Sequence, residues 1–187
     1  NEGDLTEHVV MVVRGIVRLS KEGVGQRLQI IRLLKPYDTF GYRSAMAGDS
    51  HSTSATALEP TILYYVERDA FLEVIQKNIK FCYAVLVAMS KDLGISETQT
   101  VNLTQKHIRG RLAETLITLK NTYGLDGDGA TIAMYIARED LANMSNMTTS
   151  NAIRTLSQFA SEGLISLDGR KIKLLDESEL TRISRLG

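Results

Sequence analysis

Between His8 and Val66 the apolar residues come in short runs broken by turn formers. His8 to Leu19 is rich in Val, Ile and Met and is interrupted at Gly15. The pattern resumes from Gln26 to Leu34 after Lys21-Glu22-Gly23-Val24-Gly25, and again from Thr61 to Val66 after Glu59-Pro60. β-Branched and aromatic runs of this length, bounded by Gly and Pro, predict strands. Several such strands predict a small sandwich or barrel. No helix-length amphipathic pattern occurs before Arg68.

The period then changes. Arg68 to Gln76 predicts a short helix with Phe71, Leu72 and Ile75 on one side. Ile79, Cys82, Leu86, Met89, Leu93, Ser96, Thr100 and Leu103 follow with alternating spacings of three and four. That is a heptad-like seam over about 25 residues, roughly 38 Å of helix. A parallel dimeric coiled coil along Ile79 to Leu103 is one way to cover it; a helix packed along its own β domain is the other. Gly94, a poor helix former, marks either a joint or a place of close approach. Thr104-Gln105-Lys106 reads as a hinge.

Beyond the hinge, His107 to Tyr123 carries Ile108, Leu112, Leu116 and Leu119 on one face and ends at Gly124. Asp126-Gly127-Asp128-Gly129 predicts a turn and Thr131 to Ile136 a short strand. Arg138 to Asn143 predicts a short helix, and Thr148 to Glu162 a longer one ended by Gly163. Leu164 to Leu167 and Lys171 to Leu175 flank Asp168-Gly169, a dipeptide favoured in tight hairpins. Helix, strand, helix, turn, helix and hairpin in this order predict a winged helix-turn-helix. The expected organisation is α+β: a β domain over residues 1–78, a dimerisation helix and hinge over 79–106, and a winged helix-turn-helix over 107–187.

Composition narrows the function. The 187 residues hold 22 Lys+Arg and 22 Asp+Glu, so a formal net charge of zero excludes binding to nucleic acid or anionic membrane by bulk positive charge. Any such contact must come from a local patch. Cys82 is the only cysteine, which excludes a disulfide framework, a multi-thiolate zinc site or a four-thiolate iron–sulfur site within these residues. No apolar run approaches membrane-spanning length and no signal peptide is visible, so a soluble cytoplasmic chain without a membrane partner is expected. The chain opens Asn1-Glu2-Gly3-Asp4 without an initiator Met, so further chain is expected upstream.

Catalytic patterns are missing. His8, His51 and His107 lie far apart, and neither a nucleophile elbow nor a phosphate loop is present. Asp126 to Gly129 does not continue with calcium-loop spacing, Ala137 standing where the terminal Glu would fall. The chain is read as no enzyme and as having no metal ligands.

The stretch from Arg138 to Glu162 carries the positive signal. Arg138-Glu139-Asp140-Leu141-Ala142-Asn143 is the supporting helix and Met144 to Met147 the turn. The second helix opens Thr148-Thr149-Ser150-Asn151 and becomes apolar at Ile153, Leu156 and Phe159, with Arg154 its one cation. A recognition helix needs small polar groups in its first turn to reach base edges and a face that packs on the domain. From Leu141 to Ser161, 21 residues, there is no Asp or Glu, as a phosphate-facing surface requires. Arg170, Lys171 and Lys173 add cations at the hairpin tip. The candidate contacts to double-stranded DNA are therefore Arg138, Thr148, Thr149, Ser150, Asn151, Arg154, Arg170, Lys171 and Lys173. The competing reading is a ligand-sensing or protein-interaction module whose winged helix binds protein.

Phe40-Gly41-Tyr42-Arg43-Ser44 and His51-Ser52-Thr53-Ser54-Ala55-Thr56-Ala57-Leu58 resemble the phosphate-binding cassette of the cyclic-AMP receptor protein/FNR superfamily of bacterial transcription regulators. Asn1 to Leu19 is similar to that family's β-roll, Gly110-Arg111-Leu112-Ala113-Glu114 to its first DNA-domain helix, and Glu162-Gly163-Leu164-Ile165 to the lead into its wing. The resemblance covers essentially the whole chain. It implies an effector-sensing, jelly-roll-like β-roll, a homodimer through the central helix, DNA binding by the C-terminal domain, and RNA polymerase as a partner. The implied effector pocket comprises Gly41, Tyr42, Arg43, Ser44, His51, Ser52, Thr53 and Ser96.

The departures from the family pattern are informative. Where cyclic-nucleotide binders hold the ribose with Glu and the phosphate with Arg, this chain has Tyr42 and His51. Neither reproduces an anionic acceptor or a bidentate guanidinium. The purine-contacting hydroxyl pair falls on Ser96 and Glu97. These changes argue against cyclic AMP and leave the effector unknown. The FNR branch's cysteines would lie upstream of Asn1. A haem-type role for His51 competes with a plain polar one. In the recognition helix the family's Arg and Glu are Thr149 and Ser150, while its later Arg is matched by Arg154, so a different, A/T-leaning operator is expected.

Overall fold

The computed structural model describes all 187 residues, Asn1–Gly187. The chain gathers into two units, Asn1–Glu97 and Thr98–Gly187, and the longest helix contributes to both.

In the first unit the predicted run from His8 breaks at Gly15 into β1 (His8–Arg14) and β2 (Val17–Glu22). Gly15 has φ +91°, and a Cβ there would lie 2.9 Å from the Pro60 carbonyl oxygen and closer still to Thr61. Only glycine fits a turn that is both left-handed and pressed against a neighbouring loop. A 3₁₀ turn, Val24–Gln26, precedes β3 (Leu28–Leu34), and β6 (Ile62–Glu67) follows Pro60. Three elements escape the sequence patterns: β4 (Thr39–Phe40), α1 (Tyr42–Ala47) and β5 (Ser54–Ala57). None exceeds two periods of its own repeat, and α1 is bounded by glycines with positive φ, Gly41 and Gly48.

The strands form two antiparallel three-stranded sheets, β4-β1-β6 and β3-β2-β5. Val12, Val17, Leu19 and Leu34 fill the space between them, joined by Phe40 and Leu63. A second cluster seats helices on β1 and β6: Val9, Ala45 and Phe71 are buried against Tyr42, Val66, Leu72, Ile75, Phe81 and Val85. Val9 and Val66 belong to the strands, and the others come from α1, from α2 (Arg68–Lys77) and from the first turns of α3 (Ile79–Gln105).

No residue of α3 is buried. Leu86 and Leu93 are 50% and 62% exposed, Ile79 more so. At 100° per residue, Phe81, Val85 and Asp92 fall within about 40° of one another, on the side that meets the roll. Cys82, Leu86, Met89 and Leu93 lie roughly a quarter-turn away. The helix therefore packs partly on its own domain and still presents the predicted seam. The predicted hinge is corrected: Thr104 and Gln105 complete the last turn of α3, Thr104 Oγ1 donating to Thr100 O at 2.8 Å. The break is confined to Lys106 and His107. No helix is long and apolar enough to cross a membrane.

The second unit contains α4 (Ile108–Tyr123), α5 (Arg138–Met144), α6 (Thr149–Ser161), the hairpin β7 (Ile165–Asp168) and β8 (Lys171–Leu174), and α7 (Glu177–Leu186). Leu112, Leu116, Ile136, Leu141, Leu156, Phe159 and Leu180 are each less than 2% exposed and form its core. The strand expected at Thr131 to Ile136 is not formed. Its alternating burial is real, but the backbone pairs only as isolated bridges, Leu125 with Ile132 and Thr131 with Lys173. The hairpin turn is Gly169-Arg170, since Asp168 pairs with Lys171. Helix α7 was not foreseen. Asp176 caps it by accepting from Glu179 N at 2.9 Å, and Leu180 and Ile183 anchor it on α4.

Candidate nucleic-acid interface and effector pocket

Helix α6 is amphipathic: Ala152, Thr155, Leu156 and Phe159 are buried. Thr148 is its N-cap, Oγ1 accepting from Asn151 N at 3.2 Å. An oxygen-bearing cap satisfies an otherwise orphaned amide and fixes where the helix begins. Thr149, Ser150 and Arg154 are exposed on the opposite side. Arg154 Nη2 donates to Asn151 Oδ1 at 3.0 Å, so the two residues suited to guanine and adenine sit one turn apart and touch. The supporting helix α5 meets α6 through Ser145, Asn146 and Met147, where Asn146 adopts φ +48°.

The cations predicted around this helix separate in the structure. Arg170 is exposed at the hairpin turn. Lys171 Nζ lies 5.3 Å from the centre of the Tyr135 ring, whose hydroxyl donates to Asp126 Oδ2 at 2.8 Å. Lys173 Nζ is 3.2 Å from Asp128 Oδ2. Asp128 also accepts from the amides of Ala130 and Thr131 and from the Thr131 hydroxyl, and these bonds hold its carboxyl far below the usual range. Arg138 is half-buried: Nη2 donates to Gly169 O at 2.6 Å and Nη1 is buried without a partner. Burial lowers its pKa. It braces the hairpin turn against α5.

Sequence reasoning missed three participants, Arg111, Tyr135 and Asp128. Arg111 of α4 places hydrogen bonds on Ser145 O and Asn146 O, the connection between α5 and α6. The only sequence signal was a cation between Gly110 and Leu112, beside the face of α4 that the apolar spacing assigns to the core.

The predicted effector residues are brought together only in part. Gly41, with φ +84°, passes so close to β1 that a Cβ would lie 2.9 Å from His8 O and 3.4 Å from His51 Cε1. His51 is tied to the first residues, its N–H donating to Asp4 O at 2.9 Å and its carbonyl accepting from Gly3 N at 2.8 Å. Partial burial lowers the pKa of its imidazole. Ser44 is buried, and Arg43 Nη2 donates to Ser52 Oγ. Thr53 leads into β5. Tyr42 points at α3. Its hydroxyl donates to Asp92, which accepts from Arg32 Nη1 at 2.8 Å as well. Burial and the bond to Asp92 raise the Tyr42 pKa, keeping the phenol protonated and donating. Ser96 lies one turn beyond Asp92 on an exposed stretch. A cleft of about 530 Å³ opens nearby between Thr6, Gly48 and Arg68, outside the cassette positions. Glu7, Asp49, Glu67 and Asp69 outnumber Arg68 and His8 around it, which disfavours a phosphate.

Residues 1–78 match the family model of the cyclic nucleotide-binding domain, and residues 110–183 that of the Crp-like helix-turn-helix domain. The chain is 22% identical over 185 residues to a CRP-like cAMP-activated global transcriptional regulator of Mycobacterium tuberculosis, covering 98% of this chain and 83% of that one. It is 25% identical over 185 residues to the nitrogen fixation regulation protein FixK of Azorhizobium caulinodans, covering 97% and 73%. The structure of FixK2 from Bradyrhizobium japonicum superposes with a TM-score of 0.87 at 26% identity, over 98% of this chain and 90% of that one. With the roll and the winged helix matched in chain order over most of its length, this chain belongs to the cyclic-AMP receptor protein/FNR superfamily of DNA-binding transcription regulators.

Proposed function

We propose that this chain is a homodimeric, sequence-specific regulator whose α6 enters the major groove and whose roll works without cyclic AMP. One observation carries the DNA reading: the exposed side of α6 offers Thr149, Ser150 and Arg154 with no carboxylate from Leu141 to Ser161, in a chain of zero net charge. Thr148, capping the helix, and Asn151 sit at the same end, and Arg170 and Lys171 flank it from the hairpin as phosphate contacts. Arg138 and Lys173 support that hairpin rather than the duplex.

The dimer reading is supported by a 27-residue helix without a buried residue and by its apolar seam, turned away from the side that meets the roll. Cys82, Leu86, Met89 and Leu93 are its centre, Ile79, Thr100 and Leu103 its ends. The reading against cyclic AMP is supported by Tyr42, whose hydroxyl is engaged with Asp92 where a ribose-binding carboxylate would be needed. RNA polymerase is proposed as a partner on the family's behaviour, and the cytoplasm as the place of action.

The test is selection of duplexes from random DNA by the full chain. The affinity for the selected site is then measured between about 50 and about 200 mM salt, with and without cyclic AMP. Six phosphate contacts cost on the order of a thousandfold over that range. A steep salt dependence unaffected by cyclic AMP is expected. A flat dependence points to a protein-binding winged helix, and micromolar cyclic-AMP binding by calorimetry overturns the effector reading.

A further inference from the structure

Arg111 holds the end of one element and the start of another with a single planar group. From α4, Nε donates to Ser145 O at 2.8 Å and Nη2 to Asn146 O at 3.1 Å. In the other direction Nη1 donates to Lys106 O at 3.0 Å, with a longer contact to Leu103 O at 3.4 Å. Ser145 and Asn146 form the turn between α5 and α6; Leu103 and Lys106 are the last turn of α3 and the break after it. A guanidinium suits this task because its donors lie in one rigid plane, so satisfying both sides fixes their relative orientation. Lys, with donors on a single rotating ammonium, cannot span both.

The surroundings stiffen both ends. Ser145 is 1% exposed, and its hydroxyl is 2.8 Å from Thr115 Oγ1, one turn along α4 from Arg111. Asn146 turns the chain in a left-handed conformation that Asn tolerates better than other non-glycine residues, and its carbonyl is one of those Arg111 grips. Lys106, whose carbonyl accepts from the other side, is itself tied to α4 by an ion pair with Glu114 at 3.0 Å.

We infer that Arg111 is a positioning residue that sets the angle between the end of α3 and the α5–α6 turn, and so fixes the separation of the two recognition helices in the dimer. This rests on the dimeric DNA-binding reading above. It assigns Arg111 to operator spacing rather than to base or phosphate contact.

Two measurements test it. In the first, wild type, Arg111→Lys and Arg111→Gln are titrated with the selected operator, with the same operator lengthened or shortened by one central base pair, and with a single half-site. One base pair displaces a half-site by about 3.4 Å along the axis. Wild type is expected to lose about tenfold or more on the altered spacings, and both variants about threefold or less, with half-site affinity unchanged. A uniform loss across all duplexes, with the spacing ratio intact, means that Arg111 is merely structural and overturns the inference; so does unchanged binding. In the second, spin labels at Gln105→Cys and Gln158→Cys, on a Cys82→Ser background and diluted into unlabelled chain, report the distance from the end of α3 to α6 without DNA. A narrow distribution that broadens in Arg111→Gln is expected, and an unchanged distribution overturns the inference. Should wild type bind no operator as a dimer, the functional reading fails while the label distances still decide the role of Arg111.

Discussion

Arg154, Lys171, Lys173 and Arg138 look alike in the sequence, four cations near a candidate recognition helix, yet their partners divide them. Arg154 is exposed and bonded only to the neighbouring Asn151, a surface hydrogen bond worth little against a desolvated contact to a base. Replacing Arg154 by Ala should cost roughly 1–3 kcal/mol in operator affinity and remove the preference at one base pair. Lys171 is held only by the face of Tyr135, so Lys171→Ala should weaken all sequences alike. Lys173 is different because its charge is already opposed by Asp128, so Lys173→Ala should change affinity less than Lys171→Ala does. Fluorescence anisotropy on the selected operator and its single-base variants checks all three. Equal losses for Lys171→Ala and Lys173→Ala, or intact specificity in Arg154→Ala, contradict these roles. The residue types were legible in the sequence, and the division among them was not. It depends on partners such as Gly169, 31 residues from Arg138, that only folding brings close.

Elements long enough to repeat their period could be read directly, and shorter ones only where a turn or cap signal marks them. The seam of α3 and the amphipathic face of α4 show their pattern more than once, while the polar opening of α6 and the hairpin are marked by their local residues, Thr148 to Asn151 and Asp168-Gly169. β4, β5 and α1 were missed for brevity. Thr131 to Ile136 misled because alternation reports which side chains are buried, whereas a strand also needs a continuous hydrogen-bonding neighbour, and here β8 supplies one only at its edge. The same separation of pattern from backbone geometry makes Gly15 testable. The sequence shows a glycine between two strands; the structure adds φ +91° and backbone atoms of Pro60 and Thr61 within 2.9 Å of where a Cβ would be. Left-handed geometry alone costs a non-glycine residue about 1–2 kcal/mol, and here the contact cannot be relieved by turning a side chain. Gly15→Ala should therefore destabilise the roll by about 2 kcal/mol or more. Urea unfolding followed through the tyrosines of the roll measures this, and an unshifted midpoint shows that the turn is not constrained as described.

At the scale of the whole molecule, neutrality and symmetry work together. A chain with 22 positive and 22 negative residues has no net charge to concentrate it on DNA, so on the proposed reading its affinity comes from placing two local patches on one duplex at once. In the proposed dimer that pairing is a condition of function, and the seam of α3 is where it is open to attack. Leu93 is 62% exposed and Leu86 50% exposed in the single chain, so neither contributes much to the fold of its own protomer. Replacing either by Asp should leave both units folded, because in the isolated chain the new carboxylate stays solvated. In a coiled coil the same substitution sets two like charges against each other in an apolar seam, and an unpartnered buried charge costs several kcal/mol. Leu93→Asp should therefore sediment as a monomer with an unchanged helical circular dichroism spectrum. Its operator affinity should fall to that of a single half-site, since the α6 surface is intact but no longer paired. A variant that remains dimeric places the interface elsewhere than α3. A monomer that still binds the full operator at wild-type strength shows that pairing two winged helices is not what this regulator depends on.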